Sequence, residues 1–331
     1  MVWKPIKYTD DNGDTMKCSV FAPSHITGFF EIVDHPNPLK MGSRGAGVAL
    51  EAGVTTDVEI KSGRGVDVKI NGKNDPRNAS ITYKTIDLIK KQFKTQELND
   101  KINFSGFDDT SSKNAVEKLT DKKIVIEHRV DVPIGAGFGT SAAFALGTSL
   151  GLAKILEMPV THNKAASIAH LAELEMGSGL GDVIAEICGG IVLRLREGAP
   201  GIGAVDKILK DDGLFVISKT LGKIDTSSVI KDPFYKEMIN RTGQSLLFEL
   251  LKNPDPSFFM RLSRKFSQQT ELMNSEVLEV VEVLEDETLG ASMAMLGNTA
   301  FALSKSPDAG VEGALVSKID SCGCRFVKNR D

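Results

Sequence analysis

Strand and helix patterns alternate along the first 200 residues of the chain. Residues 17–22, 48–60, 66–70, 123–129 and 189–195 have the apolar spacing of strands. The strand at 66–70 runs into Asn71-Gly72, a dipeptide that favours a hairpin turn. Apolar residues at helical spacing predict helices at 78–93, 141–156 and 161–175. Residues 94–121 are polar and predict a surface helix between loops.

The remainder of the chain mixes the same two patterns in a different order. We predict a strand at 214–217, helices at 233–252, 257–272 and 275–284, two strands within 291–304, and a last helix and strand within 308–327. Because no regular strand–helix–strand repeat appears, the order favours an α+β fold. The breaker-rich stretch 198–203 is the best boundary candidate. The predicted organisation is a polar lead-in at 1–16, one domain at 17–200 and a second at 201–331.

Composition and charge narrow the class of protein. At 331 residues, 41% of them hydrophobic and 25% charged, the chain is long enough for two ordinary domains with real cores. A net charge of -4, together with one Trp and three Tyr, argues against capture of nucleic acid or of an anionic membrane. We therefore expect neither as a partner.

Membrane insertion and cysteine chemistry are also disfavoured. Residues 132–153 carry no charge over a length that could span a bilayer, but Pro133 and five glycines interrupt them. The polar N-terminus does not resemble a signal peptide. Four scattered cysteines give no disulfide framework, and the Cys-Gly-Cys at 322–324 lacks a second ligand pair. A reduced, cytoplasmic protein is the expectation.

The most informative segment is a glycine-rich run between a predicted strand and a predicted helix. Gly135, Gly137 and Gly139 alternate, which allows successive backbone amides to turn toward one centre. Thr140 and Ser141 are expected to cap the helix that follows, whose N-terminus carries a partial positive charge. Together these features predict a cradle for nucleotide phosphates. The run lacks the ending of a P-loop, and its third glycine comes one residue early for a dinucleotide fingerprint. A simple strand-to-helix turn stays the structural alternative.

Three motifs, in order, resemble those of the GHMP kinases, which include galactokinase and the homoserine, mevalonate and phosphomevalonate kinases. Residues 133–142 (Pro-Ile-Gly-Ala-Gly-Phe-Gly-Thr-Ser-Ala) resemble the phosphate-binding motif, although Phe138 and Thr140 replace its usual Leu and Ser. Residues 21–31 and 290–302 stand where the first and third motifs belong. Within this family, the run from His25 to Gly47 is similar to the N-terminal signature of the archaeal pantoate kinases.

The resemblance implies a fold and an activity. The fold would be the two-domain GHMP kinase fold, with an N-terminal domain like ribosomal protein S5 domain 2 and a ferredoxin-like C-terminal domain. The activity would be phosphorylation of pantoate to 4-phosphopantoate by ATP with Mg²⁺, in archaeal coenzyme A biosynthesis. The resemblance also makes a homodimer a plausible oligomeric state. Homoserine or mevalonate as the acceptor, and a catalytically silent nucleotide-binding regulator, remain open. A dehydrogenase that binds NAD through the glycine loop is the remotest alternative.

The resemblance also assigns roles to side chains. Asp182 would be the catalytic carboxylate that orients or deprotonates the acceptor hydroxyl, with a helix-capping aspartate as the structural alternative. Glu173 with Ser141 would hold Mg²⁺, and Glu175 is the reserve. The candidates for binding the acceptor are Arg194, His170, Ser43, Arg44, Ser24 and His25. The candidates for binding the nucleotide are Pro133, Gly135, Gly137, Gly139, Thr140, Ser141 and Ala142.

Two of the acceptor candidates can also be argued from their chemistry. Arg194 stands between two leucines on a predicted strand, and a guanidinium there could grip a carboxylate through two parallel hydrogen bonds. A solvated strand face shared with Arg196 is the alternative. His170 lies three residues before Glu173 on one helix face, and a satisfied core histidine is its alternative. Glu31, Asp34 and His35 (residues 31–35) suggest a structured loop near the site rather than a metal triad.

Overall fold

A computed structural model describes residues 16–94, 122–210, 213–222, 233–308 and 310–328, and these residues form two β-sheets covered by helices. In chain order the strands are β1 (Met16–Val33), β2 (Gly42–Ser62), β3 (Gly65–Ile70), β4 (Lys122–Val130), β5 (Ile191–Arg196), β6 (Ala204–Ile208), β7 (Phe215–Gly222), β8 (Ala291–Met293), β9 (Asn298–Ser304), β10 (Leu315–Lys318) and β11 (Arg325–Val327). The helices are α1 (Ser80–Lys94), α2 (Thr140–Ile155), α3 (His162–Met176), α4 (Asp182–Cys188), α5 (Pro233–Lys252), α6 (Pro256–Gln269) and α7 (Ser275–Glu285).

Two long antiparallel strands form the frame of the first sheet. β1 and β2 pair from Met16 and Ile60 to Val33 and Gly42. One half of β2 pairs with β4 and the other half with β5, and β3, β6 and β11 complete seven strands. The register of β1 shifts at Pro23/Ser24 and again between Thr27 and Phe29. Such irregularities bend a strand locally, and here they lie in the segment that passes the glycine loop.

The helices bury their apolar faces against both sheets. α2 is buried on almost every side, between the first sheet and α3, as its continuous apolar sequence requires. The second sheet has the order β10-β7-β9-β8 and is covered by α6 and α7. Phe29 of β1 connects the first sheet to the helices that cover the second. Its ring centroid lies 6.3 Å from that of Phe259 and 6.4 Å from that of Phe266, both on α6.

Most predicted elements are confirmed, one is confirmed in part and one is wrong. Asn71 and Gly72 form the predicted turn, with φ of 48° and 75°, and an antiparallel bridge between Ile70 and Lys73 closes it. No second hairpin strand follows in the described residues, and β3 pairs in parallel with β4. The final helix within 308–327 is absent from the described residues, where this segment forms β10 and β11. The surface helix predicted within 94–121, like most of the lead-in, lies outside the described residues.

The second part of the chain contributes to the first sheet. β6 pairs with β5, and β11 pairs with β1 through Ser19 and Val327. Strands from beyond residue 200 therefore complete the N-terminal sheet, and the division at 200/201 stays a prediction. Among the described residues, no helix combines the length and the apolar character needed to cross a bilayer.

Candidate active site

A cavity of about 410 Å³ opens where all three sequence motifs meet. The glycine loop and the start of α2 form one wall, and the turn between α3 and α4 faces them. A third wall comes from three strands, through Thr27 and Phe30 of β1, Ser43 of β2 and Arg194 of β5. The turn between β8 and β9 forms the remaining edge of the cavity. Residues far apart in sequence thus surround one space of the size of a small-molecule site.

The glycine loop has the conformation that its sequence predicts. Gly135, Gly137 and Gly139 have φ of 76°, 91° and 66°, in the left-handed region that favours glycine. The predicted capping of α2 by Thr140 and Ser141 is wrong, because Gly139 is the N-cap residue and no side chain caps the helix. Thr140 and Ser141 lie in the first helical turn and line the cavity. The first amides of α2 therefore remain available to an anion.

The third motif is packed against this loop. A Cβ added at Gly137 would lie 2.9 Å from Gly297 Cα, so both positions need glycine for the close approach of their backbones. Thr299 Oγ1 donates a hydrogen bond to Ala136 O at 2.8 Å. Of the other predicted nucleotide-binding residues, Pro133 and Ala142 are not among the residues that line the cavity, and Ala142 is fully buried.

A buried carboxylate faces the glycine loop. Glu173 Oε1 accepts hydrogen bonds from Ser141 Oγ at 2.5 Å and from Ser178 Oγ at 2.6 Å. Burial raises the pKa of Glu173 to about 7, and the charge of Asp182 adds to this, although the two serine hydroxyls oppose it. The reserve candidate Glu175 lies elsewhere, paired with Lys84 of α1.

These oxygens fit the predicted Mg²⁺ site. A carboxylate and a hydroxyl are hard oxygen ligands, which Mg²⁺ prefers, and Mg²⁺ commonly takes only one or two carboxylates plus phosphate oxygens. Among the residues the structure describes, no cluster of three or more His, Cys, Asp and Glu side chains could hold a metal by itself. An ion at Ser141 and Glu173 would take its remaining ligands from the phosphates of a bound nucleotide and from water.

Asp182 begins α4 and reaches the cavity. Gly181 is the N-cap residue and no side chain caps the helix, so the capping alternative does not apply. Burial would raise the pKa of Asp182, but the hydrogen bond from His25, the charge of Arg194 and a hydrogen bond from Thr27 together lower it. His25 Nδ1 lies 2.8 Å from Asp182 Oδ1. Burial lowers the pKa of His25, so a neutral imidazole donates its Nδ1–H to an ionised Asp182.

Arg194 is fully enclosed and points into the same cavity. Its side chain is among the largest fully buried ones, and its Nη1 donates to Thr27 Oγ1 at 3.3 Å. Burial lowers the pKa of Arg194 to about 10, opposed by Asp182, so the guanidinium stays charged at neutral pH. Its Nε has no hydrogen-bond partner within the described ranges. Arg196 is different, because a register shift separates the two residues and Arg196 is exposed and bonds to Ile202 O.

The other acceptor candidates occupy three different environments. Ser43 lines the cavity. Arg44 points away from it and pairs with Glu31 at 2.5 Å, because neighbouring residues of a strand face opposite sides. Ser24 and His25 are buried behind the cavity wall, where His25 contacts Asp182 instead of the cavity itself.

His170 also lies outside the cavity lining. Its Nε2 is 3.2 Å from Pro38 O and 3.1 Å from Met41 O, so it must be the donor. Burial lowers the pKa of His170 to about 4, and the ring is neutral. His170 thus holds the segment that leads into Ser43. The prediction of a loop at 31–35 is wrong for residues 31–33, which belong to β1, and only Asp34 and His35 follow the strand. Glu31 pairs with Arg44, and Asp34 pairs with Lys236.

Two residues of the site, Ser178 and Glu186, were missed by sequence reasoning, and Thr27 was expected only as part of the first motif. Thr27 connects Arg194 to Asp182, and Ser178 holds Glu173. Glu186, one helical turn after Asp182, is fully buried, and neither of its side-chain oxygens has a hydrogen-bond partner in the described part of the chain. Burial and the charges of Asp182 and Glu173 raise the pKa of Glu186 well above its ordinary value. The i, i+4 spacing of two acidic residues on a short apolar helix was the available signal.

Comparisons with known proteins agree with this arrangement. The family model of the GHMP kinases N-terminal domain matches residues 110–190. A pantoate kinase from Methanocaldococcus jannaschii is 39% identical over 86% of this chain and 92% of its own length. A pantoate kinase from Thermococcus kodakarensis is 35% identical over 92% of this chain and 93% of its own.

Solved structures share this fold over most of the chain. A phosphotransferase related to the CoA biosynthesis pathway superposes with a TM-score of 0.76 at 30% identity and covers 94% of this chain and 99% of its own. Homoserine kinase from Cytophaga hutchinsonii shares the fold, with a TM-score of 0.64 at 18% identity, over 99% of this chain and all of its own. The predicted two-domain GHMP kinase fold is confirmed. With the phosphate cradle, the three motifs and these relatives in agreement, the chain belongs to the GHMP kinase family, alongside the pantoate kinases.

Proposed function

We propose that this protein is a pantoate kinase, which transfers the γ-phosphoryl group of ATP to the primary hydroxyl of pantoate and yields 4-phosphopantoate for coenzyme A biosynthesis. The observation that carries the proposal is the position of Arg194. A buried guanidinium with an unpartnered Nε lies in the same cavity as the phosphate cradle. A buried cation without a carboxylate partner of its own is costly, and the carboxylate of an acceptor would pair with it.

The acceptor end of the cavity matches the chemistry of pantoate. Pantoate carries a carboxylate, two hydroxyls and a carbon with two methyl groups. Arg194 would bind the carboxylate through parallel hydrogen bonds, and Ser43 and Thr27 offer hydroxyls beside it. Phe30 and Leu180 supply apolar surface in the same lining. Asp182 lies between these groups and the glycine loop, where the reacting hydroxyl must be.

Asp182 would orient the acceptor hydroxyl and receive its proton. A carboxylate with a lowered pKa is a weak base, but phosphoryl transfer has a loose transition state in which the nucleophile loses its proton late. A weak base held in position is therefore sufficient, and positioning supplies most of the rate. The Nδ1–H of His25 and the hydroxyl of Thr27 fix the carboxylate for this task.

The nucleotide would bind at the opposite end. The amides of the glycine loop and of the first turn of α2 would bind the phosphates of ATP. Ser141 and Glu173 would hold Mg²⁺, which when bound neutralises phosphate charge and aligns the transferred group. His170 and Arg44 would act indirectly, His170 through residues 38–41 and Arg44 through Glu31. A homodimer and a cytoplasmic location stay predictions.

The direct test is ADP release with ATP and Mg²⁺, with D-pantoate, L-homoserine, mevalonate or no acceptor offered in parallel. We expect turnover with pantoate only. Asp182→Asn should lose most of this turnover while it still binds ATP. Turnover with another acceptor would overturn the assignment of Arg194 and Ser43 to pantoate. ATP binding without turnover on any acceptor would favour a nucleotide-binding regulator.

A further inference from the structure

The β8–β9 turn contains a leucine in an unusual backbone conformation. Leu296 has a φ of 64°, in the left-handed region, where a bulky side chain is rare and strained. The other non-glycine residues with positive φ in the described part of the chain are Asn71, Glu157 and Glu271, in a turn or directly after a helix. Leu296 alone among these four lines the cavity. Strain that persists at a cavity wall points to a role for the side chain there.

The surrounding contacts hold this turn in place. Ala294 N donates to Thr299 O at 2.8 Å, and Gly297 N donates to Ala294 O at 3.1 Å. Met295 N donates to Thr27 O at 2.9 Å, which ties the turn to β1. A Cβ at Gly297 would collide with Ala136 of the glycine loop. Leu296 therefore cannot relax its backbone without moving either the phosphate cradle or β1.

The attachment to Thr27 places Leu296 near the acceptor end. Thr27 also bonds to Arg194 and Asp182, the two groups assigned to the carboxylate and the reacting hydroxyl. Met295, the neighbour of Leu296, is buried and lines the same cavity. Leu296 therefore lines the same cavity as Arg194 and Asp182, and its side chain adds apolar surface there.

We propose that Leu296 is a specificity-determining residue whose side chain, directed into the cavity by the left-handed backbone, packs against the dimethyl-substituted carbon of the acceptor. The inference rests on the proposed function and deepens it. Acceptors with the same carboxylate and hydroxyls but without the methyl groups leave this wall uncovered. In a hydrophobic pocket each methyl or methylene is worth about tenfold or more in kcat/KM.

The test compares Leu296→Gly with Glu271→Gly. Both substitutions place glycine at a positive φ, which suits it, but Glu271 is exposed and outside the cavity lining. The acceptors are D-pantoate and 2,4-dihydroxybutanoate, which lacks both methyl groups. KM for ATP and the melting temperature are measured for every variant.

We expect the wild-type protein and Glu271→Gly to prefer pantoate by about 100-fold or more in kcat/KM, because the analogue lacks two methyl groups. Leu296→Gly should reduce this preference at least about tenfold, by raising KM for pantoate, with KM for ATP unchanged. The melting curve shows that the variant is folded. An unchanged preference, or a raised KM for ATP alone, would overturn the assignment of Leu296. If the wild-type protein uses neither acceptor, the proposed function fails, and that outcome is separate because it requires no variant.

Discussion

Two glycines in the turn between α3 and α4 allow the two ends of the proposed site to be perturbed separately. A Cβ added at Gly181 would lie 2.8 Å from Arg194 Nε and closer still to Ser43 Oγ. A Cβ added at Gly179 would lie 3.2 Å from Glu173 Cδ and closer still to its Oε2. Gly181 has φ of -154° and ψ of -9°, a combination outside the regions that residues with a Cβ favour. Alanine at Gly181 therefore acts through backbone strain as well as through its added methyl group.

The size of the effect follows from these distances. Ordinary contacts between heavy atoms begin near 3.5 Å, so Gly181→Ala must displace the Arg194 guanidinium by roughly 0.7 Å. A misplacement near 1 Å at a reacting site costs about 10²-fold in rate. We expect Gly181→Ala to lower kcat/KM for pantoate by about 10- to 100-fold with KM for ATP nearly unchanged. Gly179→Ala should instead displace Glu173 and raise KM for ATP with Mg²⁺.

The assay is coupled ADP release, with each substrate varied at saturating levels of the other. Each variant is the control for the other, because both add one methyl group to the same turn. Melting temperatures show whether either variant is unfolded. If both variants lowered kcat/KM for pantoate and for ATP by similar factors, the assignment of the two substrates to separate ends of the cavity would be refuted. An effect of Gly181→Ala on ATP alone would place Arg194 at the nucleotide and refute its role in binding the acceptor.

Four further substitutions test single groups. Arg194→Lys should raise KM for pantoate at least about tenfold in steady-state kinetics, because an ammonium cannot form two parallel hydrogen bonds. His170→Ala should lower the free energy of unfolding in urea by about 1–3 kcal/mol, because two buried carbonyls lose their donor. Glu186→Gln should keep kcat within about twofold at pH 7, because the amide has the shape of a protonated carboxyl, and a loss above about tenfold would contradict a neutral Glu186. Burial lowers the pKa of His128 to about 3, below that of the unfolded chain. The unfolded state therefore binds the extra proton, and His128 alone should lower wild-type stability by about 1.4 kcal/mol per pH unit as pH drops from about 6.5 toward 3. His128→Asn should remove this part of the pH dependence.

The glycine loop could be predicted because its function depends on backbone conformation, and glycines in the sequence mark positions where unusual backbone conformations are allowed. Alternating glycines permit the left-handed φ values that Gly135, Gly137 and Gly139 adopt. Periodicity likewise located the helices, since burial of one face imposes it. The capping by Thr140 and Ser141 was wrong because a glycine in the left-handed region can begin a helix, which leaves both hydroxyls free to face the cavity.

Side-chain partners could not be predicted, because they depend on register and bends. A strand pattern does not show that Ser43 faces the cavity while Arg44 faces Glu31. The register shifts in β1 bring the side chain of His25 beneath Asp182, and no spacing in the sequence signals that contact. The position of Glu186 beneath Gly139, where an added Cβ would collide with it, is visible only after α4 and the loop are packed together.

Three carboxyl groups, two of them buried and the third partly exposed, share the site, and their partners set three different states. Asp182 has His25, Thr27 and Arg194 around it, so it is ionised before any ligand binds. The Glu173 carboxyl accepts hydrogen bonds from the hydroxyls of two serines. Burial is the main cause that raises its pKa to about 7, so the carboxyl is partly protonated at neutral pH. A cation that binds there must therefore displace a proton. Glu186 has no hydrogen-bond partner in the described residues, and its burial and the charges of Asp182 and Glu173 favour its neutral form. If all three carboxyl groups were ionised, their negative charge would repel the phosphates of ATP. Because only Asp182 has partners that hold it in the ionised form, the site carries less negative charge and can also bind an anion.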